Sequence, residues 1–552
     1  MDQKVIFHCL GIPKNKYIKN FVVPVTVLAV IFPFLMIIIA PSLMEGPMLM
    51  AIMLVPFALL AMVIVFPLSS LEGKKKQIDN NIHYYITHMG VLATSQMTRI
   101  DILLLLSKNE AYGYLAKETG RIYALIRYWH LNFPAACRFI GKRTPSVLFS
   151  DFLDRMAHAV QAGEDFDRFI ISEQEVVMND FMTMYKDSLN GIESIKEIFI
   201  SMGMSLIMIV AFAIIVPIIT GSDATLLLAG AILIFLGTEF GLLTYAKSRV
   251  PTDRIWHTLE IETMADSRIK WSMPVSLSLC ILLTGILIAY AELPTTIMFA
   301  VSLTPLLITG LIARQEENKI KRYDNNFGAF IRSLGGAAGS RSGLIMESLK
   351  ELISHDFGPL SANILNLYKR LKSRVNKRKA WEHFAAGAGS NLIERFATMF
   401  VEGTDVGGKP AVIGDIINQN FMYILSMRKL RYSSASSLTG VLYGLTAGIG
   451  ATMFLSISIL SMLGNLFSNI TVPDVDIGIS ISSVAHTDIG MLSTMIMFMM
   501  VGHSLISAML IRVVDGGHHF NTYTHFVGLV WVSAITAEIT TRAMGPLLQG
   551  AI

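Results

Sequence analysis

Cysteine is scarce in this sequence, with Cys9, Cys137 and Cys280 the only three among 552 residues. They lie far apart, so the chain has neither a disulfide framework nor the close spacing of a metal site. Charged residues are also few, at 16% of the chain, whereas 53% of the residues are apolar. A soluble domain of this size would carry more charge. The composition therefore indicates a membrane protein whose cysteines serve as packing residues.

Uninterrupted apolar runs account for this composition. Each run is about 20 residues long, the length of a helix that crosses a bilayer. The first run is not a cleavable signal, because no small-residue cleavage site follows it. The sequence predicts an all-α polytopic protein with nine transmembrane helices, near 20–40, 47–68, 198–220, 224–246, 273–291, 295–313, 438–464, 489–513 and 523–543.

Lysine and arginine are missing from alternate loops. The stretches "PSLMEGP", "TGSDA" and "AELP" contain none, and neither does the longer loop 465–490. The N-terminal segment, in contrast, carries four lysines before residue 20. Because basic loops stay in the cytoplasm, we predict a cytoplasmic N-terminus and an external loop 465–490. That loop holds a sequon at Asn469, which is a glycosylation site on this orientation unless the sequon occurs by chance.

Two polar segments, near 70–197 and 314–437, resemble each other. The stretch "KKKQIDNNIHYYITHMGVLA" in the first aligns with "KIKRYDNNFGAFIRSLGGAA" in the second. Further on, "DRMAHAVQAGED" aligns with "ERFATMFVEGTD". These alignments pair Asp79, Gly90, Gly163 and Asp165 with Asp324, Gly335, Gly403 and Asp405, in that order. Both segments show helical spacing, so we predict two duplicated cytoplasmic helical bundles.

The glycine–aspartate pair in each copy suggests a turn between helices. We expect Gly163 and Gly403 to end one helix in a left-handed conformation. We expect Asp165 and Asp405 to help cap the next helix. The helical pattern then continues for some 50 residues into a transmembrane run in each copy. Such a helix is suited to transmit movement from a bundle to the membrane, or it serves as plain linkage.

Residues 403–409 read G-x-x-x-x-G-K, which is one residue short of a phosphate-binding P-loop. A working P-loop follows a strand and has serine or threonine after the lysine. Here a helical run precedes the motif, and Pro410 occupies the hydroxyl position without a backbone N–H. The sequence therefore excludes a nucleotide site at this turn, and no cofactor is expected.

No catalytic constellation is apparent in the sequence. His518, His519 and His525 lack the carboxylates or cysteines that would support a metal site. Three ionisable residues fall deep within predicted spans: Glu239, His503 and Glu538. Charged groups in lipid are costly and are often functional, so a proton-coupled transporter is one hypothesis. Packing between helices is the alternative.

The strongest surface signal is the stretch "YKRLKSRVNKRKAW", which has no acidic residue. Its basic residues are Lys369, Arg370, Lys372, Arg374, Lys377, Arg378 and Lys379. They suit anionic membrane lipid, an acidic protein partner, or a solvated helix face without a partner. Nucleic acid is not expected, because no base-stacking aromatic residues are interleaved.

These features together predict an order of domains along the chain. It consists of a cytoplasmic N-terminus with two spans, a first bundle, four spans around a cytoplasmic linker, a second and basic bundle, and three C-terminal spans. The respective ranges are 1–69, 70–197, 198–313 with linker 247–272, 314–437, and 438–552 with external loop 465–490.

The duplicated bundles between paired spans resemble the F-type platform proteins of type II secretion and type IV pilus machines. The sequences of both copies are most similar to the archaeal branch, in particular to archaellum platforms, with platforms of an archaeal adhesion pilus or a type II secretion-like system as the alternative. The resemblance implies a non-enzymatic protein of the archaeal cell membrane that binds a hexameric secretion ATPase. It also implies contact with other archaellum motor components and pilin-like filament subunits, and homodimerisation. The basic run then has a plausible partner in the ATPase.

Overall fold

The computed structural model describes residues 5–6, 8, 11, 13–29, 31, 47–220, 224–251, 253–290, 293–340, 345–468 and 489–549. Helices make up nearly all of these residues. No β-strand occurs in these ranges, and extended pairing is limited to an isolated bridge between Trp256 and Ser390. The predicted all-α class is therefore confirmed.

The helices up to residue 161 are short, apart from the one named α1 below. A helical turn, Lys14–Tyr17, and a π-helical turn, Ile18–Val22, come first. Helices α1 to α6 are Pro47–Asp79, Ile82–Ala93, Arg99–Lys108, Tyr114–Arg127, Phe133–Gly141 and Val147–Gln161. Side-chain oxygens of Thr98, Asn132 and Ser146 cap the N-termini of α3, α5 and α6. Such caps satisfy backbone N–H groups that have no partner within the helix.

The remaining helices are mostly long at both ends of this part of the chain and short in its middle, from residue 345 to residue 405. Helices α7 to α11 are Phe166–Thr220, Ala224–Arg249, Met264–Tyr290, Thr295–Leu303 and Leu306–Ser340. Helices α12 to α15 are Ile345–Leu352, Ser361–Lys372, Lys377–Ala388 and Asn391–Asp405. Helices α16 to α18 are Pro410–Ser468, Ile489–Asp515 and Thr522–Gln549.

Five described helices are long and apolar enough to cross a membrane: α7, α8, α9, α16 and α17. A sixth span is possible if α10 and α11, which meet at a bend of 44°, act as one. The predicted spans 47–68 and 523–543 lie in α1 and α18, which are not among the five. Residues 30 and 32–40 of the predicted span 20–40 lie outside the described residues. The described residues thus support a multi-pass membrane protein, and they do not confirm the predicted number of nine spans.

The two long helices predicted after the glycine–aspartate turns are present. Helix α7 has 55 residues and α16 has 59. At 1.5 Å per residue, these helices are about 80–90 Å long. Gly191 and Gly203 do not interrupt α7. Each helix joins a polar stretch to an apolar one without a break.

The chain divides into two units. The first comprises Met1–Thr183, Ile331–Ser348 and Met399–Asn420, and its core includes Tyr85, edge-on to Phe149 with ring centroids 6.1 Å apart. The second comprises Met184–Phe330, Leu349–Thr398 and Phe421–Ile552. In that unit, buried Trp381 contacts Phe384, with ring centroids 5.5 Å apart. Each unit therefore has an aromatic core of its own.

Candidate docking surface and buried polar contacts

The paired aspartates Asp79 and Asp324 make the same contact. Asp79 accepts a hydrogen bond of 2.5 Å from Ser146, and Asp324 accepts one of 2.5 Å from Ser390. Both serines also cap a helix, because the Ser146 hydroxyl accepts from the N–H of Phe149 and the Ser390 hydroxyl from that of Ile393. Burial raises the pKa of Asp79, although Ser146 and Lys75 partly offset that effect. Each aspartate thus ties the start of its bundle to a helix N-terminus.

The cap serines correct the predicted pairing of glycines. Counted from Ser146 and Ser390, Gly163 corresponds to Gly407, not to Gly403. Gly163 has φ +78° and Gly407 has φ +85°, so each occupies the left-handed position after its helix. Gly403 instead lies inside α15. The expectation that it ends the helix is wrong by four residues, which is about one helical turn.

The aspartates that follow also differ between the copies. Asp165 immediately precedes α7, and its carboxylate accepts from the N–H of Asp167 at 3.4 Å, as expected for a capping residue. Asp405 is the last residue of α15, and α16 begins only at Pro410. The expected capping role of Asp405 is therefore wrong. The turn 406–409 follows a helix, so it lacks the preceding strand that a P-loop requires.

Three of the glycines named from the repeat lie where atoms of another helix approach closely. A Cβ on Gly403 would be 2.3 Å from Val91 of α2. A Cβ on Gly335 would be 2.5 Å from the carbonyl oxygen of Pro410, and one on Gly90 would be 1.9 Å from the amide of Gln174. The contact of Gly335 is with the backbone of the first residue of α16, whereas that of Gly90 is with the end of a side chain in α7. Gly335 is therefore needed for space and not for a special backbone angle.

Replacing Gly335 with alanine should destabilise the protein by about 1–3 kcal/mol, because the methyl group would overlap backbone that cannot rotate away. Gly336 is the matched control, since nothing lies within 4 Å of a Cβ there. G336A should be neutral or stabilising, as alanine favours helix. The measurement is the Tm of the purified full chain in detergent. Equal Tm values for the two variants would contradict the close approach.

A buried arginine joins three segments of the second unit. Arg428 of α16 donates to both carboxylate oxygens of Asp253, at 2.6 and 2.8 Å, and to Asp324 at 3.1 Å. It is 1% exposed, and Asp324 is 2% exposed. A buried charge pair persists only when its hydrogen bonds are satisfied, and this guanidinium also donates to the carbonyl of Arg254. Sequence reasoning missed this cluster, because its members are far apart in the chain.

The linker that contains Asp253 also pairs with the α14–α15 turn. The N–H of His257 donates to the carbonyl of Gly389, and the N–H of Asn391 donates to that of Ile255, both at 3.0 Å. Thr258 donates from its N–H and hydroxyl to Glu394, each at 2.8 Å. The linker therefore fixes the helix end at which Ser390 meets Asp324.

The seven predicted basic residues surround the turn between α13 and α14, and we call this group the basic tip. Five of them are exposed, whereas Arg370 and Lys377 are half-buried. Arg374 has φ +57°, and the Asn376 side chain accepts from the N–H of Lys379 at 3.3 Å to start α14. Buried Trp381 anchors the helix below the turn. The run is therefore not one helix face but a fixed hairpin end with clustered positive charge.

The turn between α4 and α5 has similar geometry. His130 has φ +53°, and the Asn132 side chain caps α5 by accepting from the N–H of Ala135 at 2.8 Å. Two aromatic side chains are exposed here, Tyr128 at 72% and Trp129 at 76%. We call these two residues the aromatic tip. Similar turn geometry thus presents two aromatic side chains between α4 and α5 and positive charge between α13 and α14.

Two of the three ionisable residues in predicted spans meet each other. His503 contacts Glu239 at 2.7 Å through Nδ1 and Thr446 at 3.1 Å through Nε2. Both residues are buried, and Phe199 and Phe235 flank the imidazole. Glu538 instead pairs with Arg542 of its own helix at 2.5 Å. The three residues therefore do not form a common site.

The other predicted positions carry no chemistry of their own. His518 caps a short turn by accepting from the N–H of Phe520, and burial beside His519 and Arg512 lowers its pKa to about 4. No cluster of metal-ligating side chains occurs within the ranges that the structure describes. Asn469 lies outside the described residues.

The helices define the chain as a multi-pass membrane protein, and comparison with known proteins identifies its family. Residues 85–214 match a family model described as Type II secretion system (T2SS), protein F. Two curated proteins called Flagella accessory protein J are each 34% identical to the chain. The one from Methanococcus voltae aligns over 98% of both chains, and the one from Methanocaldococcus jannaschii over 99% of this chain and 98% of its own. No solved structure matches.

The chain belongs to the family of Flagella accessory protein J, within the type II secretion F group. It functions as a non-enzymatic membrane platform of the archaellum, the motility filament of archaea. The family inferred from the repeated bundles is therefore confirmed.

Proposed function

We propose that this platform docks the archaellum's secretion-type ATPase on its basic tip and couples the movement of that ATPase to filament assembly and rotation. The observation that supports docking is the fixed α13–α14 turn, which carries five exposed basic side chains. A preformed turn loses little conformational freedom on binding. Clustered charge raises the rate of encounter with an acidic partner and sets its register.

We also propose that the chain contains two copies of one helical bundle, joined to membrane-spanning helices. The matched Asp–Ser caps, the left-handed glycines and the two similar turns support two copies of one bundle, near 70–197 and 314–437. The distribution of lysine and arginine supports a cytoplasmic N-terminus and nine spans. On this orientation both bundles face the cytoplasm, where ATP is available to the partner.

Movement would reach the membrane through α7 and α16. Each is a single helix that begins beside a bundle turn and continues into an apolar stretch. An unbroken helix resists bending better than a chain of short elements, so a push at one end is passed along it. We further propose a hexameric ATPase, pilin-like filament subunits as cargo, and a homodimeric platform.

Neutralising the basic tip should weaken capture of the ATPase. We expect K369Q/K372Q/K379Q to lower the affinity about tenfold at low salt, because steering by charge is strongest where screening is weakest. The difference from the unmodified protein should shrink as salt is added. The measurement is binding of the purified ATPase to the full chain in detergent, at several ionic strengths.

The aromatic tip provides the matched control for this experiment. Y128S/W129S changes the corresponding turn of the first bundle without changing charge, and both side chains are mostly exposed. This variant should capture the ATPase as the unmodified protein does. The docking proposal would fail if Y128S/W129S lost capture while the triple variant retained it.

A further inference from the structure

The second unit contains a polar cavity of about 200 Å³ between α11, α16, α17 and α18. Its lining includes Arg314 and Lys321 of α11, Tyr432 of α16, Asp515 of α17, and Asn521 and His525 at the start of α18. This volume has room for a small polar group.

The cavity lies where apolar helix segments end. The apolar stretch of α11 ends at Ala313, one residue before Arg314. Helix α17 ends at Asp515, and the apolar stretch of α16 begins close to Thr439, which also lines the cavity. Since lipid headgroups lie at the ends of the apolar segments of a membrane protein, the cavity is at the level of the headgroups.

The acidic groups of the lining already have partners. Glu317 accepts hydrogen bonds from the backbone N–H of His518 and, at 2.9 Å, from the side-chain amide of Asn521. Asp515 is paired with Lys321 at 3.8 Å, and the Lys321 ammonium lies 3.7 Å from the ring centre of Tyr432. Among the described residues, Arg314 has no ion pair or hydrogen bond. Its guanidinium is the available charge of the cavity.

The lining also contains an acceptor without a donor. Because a carboxylate only accepts, Glu317 fixes the Asn521 side chain with its N–H group toward Glu317 and its Oδ1 free. Asn521 is 7% exposed, and Oδ1 has no partner among the described residues. Nδ1 of His525 is buried and equally without a partner. Buried polar atoms of this kind are normally satisfied, so a ligand that brings a hydroxyl donor is favoured.

We propose that this cavity binds the headgroup of an anionic phospholipid. The phosphate diester pairs with Arg314, a headgroup hydroxyl donates to Asn521 Oδ1, and the hydrocarbon chains lie along the apolar segments outside. Such a lipid would join α11, α16, α17 and α18 at one end of their apolar parts. This site involves no contact with the ATPase, so its test does not depend on the docking proposal.

The test uses the purified full chain in a neutral detergent, with Tm as the readout. Dioctanoyl phosphatidylglycerol should raise Tm, because a ligand that binds only the folded state stabilises it. Dioctanoyl phosphatidylcholine should have little effect, since its charge is balanced and its headgroup has no hydroxyl. Inorganic phosphate at the same concentration distinguishes free anion from lipid.

Two substitutions on the same helix assign the effect to the cavity. R314Q should need about tenfold more phosphatidylglycerol for half of the Tm rise, as expected for the loss of a charge-assisted hydrogen bond. R314K should fall between R314Q and the unmodified protein. R322Q is the matched control, because Arg322 is exposed on α11 but does not line the cavity. It should respond as the unmodified protein does.

The proposal is overturned by any of three results. Equal responses of R314Q and R322Q would remove Arg314 from the site. Equal effects of phosphatidylglycerol and phosphatidylcholine would remove the anionic headgroup. An equal Tm rise with inorganic phosphate would make the ligand a free anion and not a lipid.

Discussion

Replacing Arg428 with methionine is expected to be the most destabilising of the substitutions considered, at about 3–5 kcal/mol, because it leaves buried carboxylates without their cation. Arg428 makes three charge-assisted hydrogen bonds, two to Asp253 and one to Asp324. Methionine fills much of the same volume, so the loss of charge and not a cavity should dominate. The Tm of the full chain in detergent should fall sharply.

The exposed pair of Arg332 with Asp415 is the control for Arg428. Its two side chains are 67% and 63% exposed, and their shortest contact is 3.0 Å. Exposed pairs contribute less than about 1 kcal/mol, so R332M should change Tm little. R428K should be intermediate, because lysine keeps the charge but cannot form the two-pronged contact with Asp253. Similar Tm values for R428M and R332M would show that the buried cluster does not stabilise the fold.

A second large effect is expected when His503 is replaced with leucine. The Glu239 carboxylate would then lose the hydrogen bond at 2.7 Å in a buried, apolar part of the chain. Removing one partner of a buried pair costs about 3–5 kcal/mol. The double variant E239L/H503L should recover most of this loss, because two apolar side chains need no partner. Tm values of the single and double variants give the comparison.

The same variants distinguish packing from proton transport. If Glu239 and His503 only hold helices together, cells that carry E239L/H503L should assemble archaella and swim. If the pair conducts protons, the double variant should be as stable as the unmodified protein yet fail to support swimming. That second result would contradict the packing interpretation and favour the transporter hypothesis for these residues.

The error at Gly403 has a clear physical origin. A shift of four residues along a helix is close to one turn, so it leaves the apolar side chains on nearly the same face. The patterns "DRMAHAVQAGED" and "ERFATMFVEGTD" therefore fit either register. Only the positions of the caps, Ser146 and Ser390, and the left-handed backbone of Gly407 decide between them. No periodicity in the sequence contains that information.

The basic tip was visible in the sequence as seven positive charges, but its form was not. Whether such a run is one helix face or a hairpin end depends on the backbone at Arg374, a residue type that rarely has positive φ. The aromatic tip gave no sequence signal, since Tyr128 and Trp129 resemble ordinary core residues. Their exposure follows from the turn that carries them.

The sequence by itself determined the helical class, the membrane setting, the long helices and the family, because apolar run length, charge distribution and repeats are local or one-dimensional properties. Tertiary structure alone decided which polar groups meet: Arg428 with Asp253 and Asp324, His503 with Glu239, and the residues around the cavity. These partners lie about 100 to 260 residues apart in the chain. Their contacts depend on how the helices pack. The sequence shows the chemistry of each side chain, but it does not show which distant side chains lie close together in space.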